Sequence, residues 1–257
     1  MLSEKPWRAE AVTQFIAGLF ICLCFGMLVA LVLHQANVGG FRELDDFGMI
    51  VVGTLSKQGA TWALIGIFLW QHGMNWRDPF GFRGPQLKRA LLAGVALAFL
   101  ILPVVWLLQV LSADLLTRVG WVPEPQTAVT LFKETKNWLE LAYLALFAIV
   151  IAPVAEEFLF RGILYPFVKQ LGSPRYALFG INAIFALIHF DLGTLLPLFA
   201  LALALTWLYE KTDNLLAPIT AHAMFNAINL VVLYFGEQIN QLIQHGFQLL
   251  YHFLHPA

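Results

Sequence analysis

Charged side chains are scarce in this chain. They make up 12% of its 257 residues, against about 25% in a soluble domain. Their balance is close to neutral, 15 Lys and Arg against 16 Asp and Glu, so no basic excess points to a nucleic acid partner. Only two cysteines occur, Cys22 and Cys24. Two positions apart on a helix, they point to different faces, which excludes a disulfide between them; they read as small membrane-facing residues. The chain is 60% hydrophobic with a mean hydropathy of +0.74. Several of its apolar runs approach or exceed the roughly 20 residues that cross a bilayer as helix. The sequence is that of a multi-pass integral membrane protein, all-α, with membrane lipid as its surroundings.

Seven runs are predicted as membrane helices, near 11–34, 47–72, 89–111, 138–160, 174–190, 194–210 and 215–235. Breakers separate them: "NVGG" at 37–40, "DPFGFRGP" at 78–85, "VPEP" at 122–125 and "LGSP" at 171–174. The first run follows Lys5 and Arg8 but is too long for the apolar part of a signal peptide, so it is expected to be retained. With no internal repeat, residues 1–257 read as a single membrane domain of seven to eight helices. Lys5, Arg8, Arg77, Arg83, Lys88, Arg89, Lys169, Arg175 and Lys211 fall on one set of connections. The other set mixes Arg42, Arg118, Lys133 and Lys136 with Glu43, Asp45, Asp46 and Asp114. An N-terminus in the cytoplasm of a cell membrane follows from that bias. In the tail, Gln238, Gln241, His245, Gln248, His252 and His255 recur every three or four residues, predicting an amphipathic helix over 236–257.

Against this background "IAPVAEEFLFRGILY" (151–165) is unexpected. An ionisable side chain at the centre of a membrane helix is unfavourable by about 2.5–3.5 kcal/mol. Glu157 and Arg161 are four apart and can neutralise each other. Glu156 lies about 100° round the helix and faces elsewhere. "INAIFALIHFD" (181–191) adds Asn182 and His189, seven apart and nearly on one face. "PITAHAMFNAINL" (218–230) adds His222 and Asn226, four apart, with Asn229 nearby. Singly, these are solvated interfacial charges or polar glue between helices. Together they are a carboxylate, two imidazoles and an amide on three helices. That set can take a proton from water, orient it and receive an oxyanion. No serine or cysteine stands as an obvious nucleophile, which points to attack by water.

"EEFLFR" (156–161), "FALIH" (185–189) and "HAMFN" (222–226) resemble the EExxxR, FxxxH and HxxxN motifs of the CPBP family, the type II CAAX prenyl endopeptidases and bacteriocin-processing or immunity proteins. All three occur in order within a core of about 135–235. The resemblance implies Glu156 as general base for water, assisted by His189, with His222 and Asn226 as the oxyanion site. Glu157 with Arg161 would be the ion pair that shapes the helix, and Phe185 a packing residue before His189. It implies an endopeptidase acting on a membrane-associated peptide, lipopeptide or protein, near the cytoplasmic face.

Zinc on Glu156, His189 and His222 is the alternative chemistry, since these could supply three ligands and leave a place for water. The preformed H-E-x-x-H grip is missing, and Arg161 disfavours a second positive charge beside it, so no cofactor is favoured. A proton-coupled transporter and a non-catalytic peptide-binding scaffold or immunity protein are the competing functions. A transporter would be expected to show repeats or helices broken at midplane, and neither is evident. The stretch 112–137, with Trp121 and "PEPQ", is expected to be a loop that could cover the site.

Overall fold

The computed structural model describes residues 2–36, 46–82, 86–121 and 127–254. Among them the chain forms helices and no strand. A segment without regular secondary structure at residues 2–8 leads into α1 (Ala9–Ala36) and α2 (Asp46–Gln71). Then come α3 (Gln86–Arg118) and the short α4 (Thr127–Glu134). One helical run, α5 (Trp138–Gln170), holds the first motif. After it come α6 (174–187), α7 (Leu192–Thr212) and α8 (Leu216–Leu254).

All seven apolar runs are helical, and five helices are long and apolar enough to cross a membrane: α1, α3, α5, α7 and Leu216–Gly236 of α8. The other two miss for separate reasons. Lys57 and Gln58 interrupt the middle of α2. At 1.5 Å per residue, α6 is only about 21 Å long. Large apolar side chains point outward, Phe20 at 68%, Met27 at 75% and Leu100 at 72% exposure, as expected where lipid is the solvent. Exposed Trp70, Tyr176 and Trp207 near one set of helix ends, and Trp121 and Trp138 near the other, fit the aromatic belts of a bilayer. Cys22 and Cys24 are free and exposed on α1.

Three boundaries differ from the reading of the sequence. Much of 112–137 is helix rather than loop: α3 continues to Arg118, whose Nε lies 2.8 Å from Asp114 one turn back. In α4, Phe132 packs on Tyr234, twelve residues beyond His222 and so about 18 Å along α8. "VPEP" and the start of α4's side chains lie outside the described residues. The fourth predicted helix does not stop at 160 but carries the charged motif through to Gln170. The tail is no separate element either. Its backbone continues α8 to Leu254, while the stripe expected on Gln238, Gln241, Gln248, His252 and His255 lies outside the described side chains.

The site is positioned by α3 packing against both α7 and α8. Gly94 makes that approach possible: a Cβ there would stand 2.6 Å from the Ala217 carbonyl oxygen and 2.7 Å from Thr220 Cβ. Leu102, Val105, Leu201, Leu205, Ala221 and Phe225 fill the space between these helices. Gly81, at φ 77°, tucks the α2–α3 connection under the end of α7, where a Cβ would meet the Asp213 carbonyl oxygen at 2.2 Å.

Candidate active site

The first motif sits on a helix that is not regular. Around Pro153 and Pro166, α5 widens into π-helical turns at Phe147–Ile151 and Phe158–Leu164. In the first of these the Ala152 N–H bonds to the Phe147 carbonyl, five residues back. In that register the Ala148 carbonyl would need the N–H of residue 153, which is proline and has none. The Asn226 side chain supplies the donor instead, its Nδ2 lying 2.8 Å from Ala148 O. A break in α5 thus fixes where α8 docks.

Next along α5, Glu157 and Arg161 are both fully buried. Arg161 NH1 donates to Glu157 Oε1 at 2.9 Å, and His222 Nδ1 lies 2.9 Å from the same oxygen. Glu157 Oε2 is buried without a hydrogen-bond partner among the described residues. Arg161 is held on its remaining sides: NH2 donates to the Ala202 carbonyl at 3.0 Å and to Asn182 Oδ1 at 3.4 Å, and Nε to Thr206 Oγ1 at 3.4 Å. Its guanidinium also stacks 4.6 Å from the Phe185 ring centre. A buried charge is tolerated when it is paired and its donors are used, and here they are.

Thr206 is the member of this cluster that the sequence reading did not single out. It donates to Asn182 Oδ1 at 2.8 Å, and its only signal was to be the one hydroxyl inside "LALALTWL". Asn229, read as near the His222 face, bonds to Phe225 O and to Trp106 Nε1 of α3 instead. It joins helices rather than lining the site.

Glu156 lies one residue round the helix from this pair and is half-buried. His189 is half-buried as well, its Nδ1 2.8 Å from the Phe185 carbonyl. A carbonyl can only accept, so Nδ1 carries a proton. The expectation that Asn182 and His189 share one straight helix face does not survive. The helix ends at Leu187 and Phe190 takes a left-handed φ of 51°, a strained conformation for a side chain of that size. Asp191 then caps α7 by accepting from Gly193 N at 2.8 Å. Asn182 turns to Arg161, and His189 is carried on the turn.

The structure brings together Glu157, Arg161 and His222 by direct bonds and ties Asn226 to α5 at Ala148, earlier on the same helix. It sets Glu156 and His189 outside that network. Among the described residues no group of three or more His, Cys, Asp or Glu side chains is arranged to hold a metal ion.

Residues 138–228 match the family described as Rce1-like type II CAAX prenyl endopeptidase. Two curated relatives match as well. Over 100 residues the chain is 29% identical to YdiL of Bacillus subtilis (strain 168), a candidate membrane peptidase; the match covers 39% of this chain and 41% of that protein. Over 102 residues it is 29% identical to the UPF0177 protein YxdF of Lactococcus lactis subsp. lactis (strain IL1403), covering 39% of this chain and 52% of the other. The chain thus matches about half or less of the length of these relatives. No solved structure matches.

Proposed function

We propose that the protein is an intramembrane endopeptidase in which Glu156 activates water against a peptide bond of a membrane-associated peptide, lipopeptide or protein. The observation that carries this reading is the commitment of Glu157. One of its oxygens already accepts from both Arg161 and His222, which commits it to positioning. Among the described residues Glu156 accepts no such bonds, and it is the carboxylate left for proton transfer.

In this mechanism a water lies between Glu156 and His189 Nε2. Glu156 takes one proton as the water oxygen adds to the carbonyl carbon. The resulting oxyanion is met by His222 and by the second amide hydrogen of Asn226, whose first is used on Ala148. His222 donates to Glu157 through Nδ1, so it meets the oxyanion through Nε2 only when both ring nitrogens carry a proton. Collapse breaks the C–N bond, and the proton on Glu156 passes to the leaving amine. No step requires a metal. The active site opens near the cytoplasmic side, with the N-terminus inside.

The test is cleavage of a mixed peptide and lipopeptide library by purified protein in lipid nanodiscs, comparing wild type with Glu156→Gln, each with and without a strong chelator. Cleavage that disappears in Glu156→Gln and persists in chelator supports glutamate-activated water. Loss in chelator assigns the chemistry to a metal. Specific peptide binding without turnover would favour the scaffold reading.

A further inference from the structure

The segment before α1 is held by specific contacts. Lys5 and Trp7 are both 6% exposed. Lys5 Nζ lies 2.8 Å from Asp213 Oδ1 at the end of α7 and over the Tyr209 ring, and its carbonyl accepts from Gln170 of α5. The Leu2 N–H reaches Glu210, which also accepts from Tyr165 and Lys169 of α5. Arg8 donates to the Gln71 carbonyl at the end of α2 at 2.6 Å. Leu2, Lys5 and Arg8 thus tie the ends of α2, α5 and α7 to one stretch of backbone.

Trp7 does something more particular. Its Nε1 donates to the Gly162 carbonyl at 2.9 Å, in a buried contact. Gly162 follows Arg161 and lies four residues before Pro166. The π-helical bonds end with Tyr165 N–H to Phe160 O, and Pro166 has no N–H to offer either the Arg161 carbonyl five residues back or the Gly162 carbonyl four back. A buried carbonyl left without a donor is unfavourable, and the indole fills that place. The position suits it sterically, since a side chain at 162 would stand 2.9 Å from the Phe80 ring. The same logic operates at the other end of the motif, where Pro153 frees Ala148 O and Asn226 captures it. The segment bearing Glu156, Glu157 and Arg161 is bracketed by two prolines, each with its released carbonyl held by a side chain from elsewhere.

We propose that residues 2–8 are a strap that sets the position of this segment, with Trp7 a positioning residue acting through Gly162. The strap keeps the π-helical turn at Phe158–Leu164 in the register that points Arg161 at Glu157 and so holds Glu157 on His222. Its effect on catalysis rests on the peptidase reading; its effect on the helix does not.

The experiment uses the full chain in nanodiscs and follows amide hydrogen exchange by mass spectrometry alongside peptide cleavage. Four proteins are compared: wild type, Trp7→Phe, Pro166→Ala and the double variant. Trp7→Phe keeps an aromatic ring and removes the donor with the pyrrole part of the indole; Pro166→Ala offers Gly162 O an N–H from its own helix. The expected result is about tenfold faster exchange over 158–166 in Trp7→Phe, with Leu216–Gly236 within about twofold of wild type and protection restored in the double variant. In parallel kcat falls about tenfold, with KM within about twofold, and recovers in the double variant. Exchange over 158–166 that is unchanged, or faster everywhere, or not rescued by Pro166→Ala, overturns the strap. Should Trp7→Phe fail to fold, Asp213→Asn loosens the same segment at its ionic anchor and must raise exchange over 158–166 in the same way. A wild type without turnover would sink the peptidase reading and leave the exchange comparison to decide the strap.

Discussion

Glu157 and His222 are 65 residues apart in the chain and 2.9 Å apart in space, with one carboxylate oxygen shared between the imidazole and Arg161. That contact ties α5 to α8 at the point where the chemistry is proposed. Most of the expected effects of substitution follow from it.

Removing one charge from the buried pair should be far more damaging than removing both. Arg161→Met leaves the Glu157 carboxylate uncompensated and is expected to destabilise the protein by about 3–5 kcal/mol. The double variant Arg161→Met with Glu157→Met should recover much of that loss. Thermal unfolding in detergent, followed for both single variants and the double, measures the coupling.

His222→Phe tests the proposed oxyanion role apart from binding. Turnover should fall about 100- to 1,000-fold, the usual result of deleting one oxyanion donor. Affinity for a peptide should stay within about threefold when measured in the Glu156→Gln background. An equal loss of binding and turnover would instead make His222 a substrate-binding group.

At Asn226 the decisive comparison is between Ala and Asp. Neither can donate to the Ala148 carbonyl, so both should destabilise by about 1–3 kcal/mol. Asn226→Asp sets an acceptor against that carbonyl and should be the worse of the two. Equal stability of wild type and Asn226→Ala would show that the Ala148 carbonyl needs no external donor.

Gly94 is a packing test remote from the chemistry. Gly94→Val would push against Ala217 O and Thr220 and displace the start of α8, with an expected destabilisation of about 1–3 kcal/mol. Turnover should drop with it, because His222 follows two residues after Thr220 on the same helix. A variant with unchanged melting temperature and rate would mean that α3 and α8 approach less closely.

Orientation has its own experiment. With Cys22 and Cys24 replaced by alanine, Asn75→Cys in the α2–α3 connection and Trp121→Cys after α3 should label from opposite sides of the membrane. Asn75→Cys should react only from the cytoplasmic side; the reverse pattern would place the N-terminus outside.

Much of this molecule was legible in the order of its residues. Long apolar runs with few charges can satisfy their backbone in lipid only as helices, so the membrane class and the rough spans needed no coordinates. The i, i+4 spacing of Glu157 and Arg161 announced their pairing, and three polar motifs in otherwise apolar helices marked the site. Tertiary structure decided which partner each polar group took. Periodicity assumes a regular helix, and this chain departs from one at Pro153, at Pro166 and at Phe190. Each departure releases a carbonyl or turns a side chain, and only packing settles what answers it. Trp7, Thr206 and Asn182 acquired their places in that way. Trp7 meets Gly162 across 155 residues of sequence, a distance over which spacing carries no information.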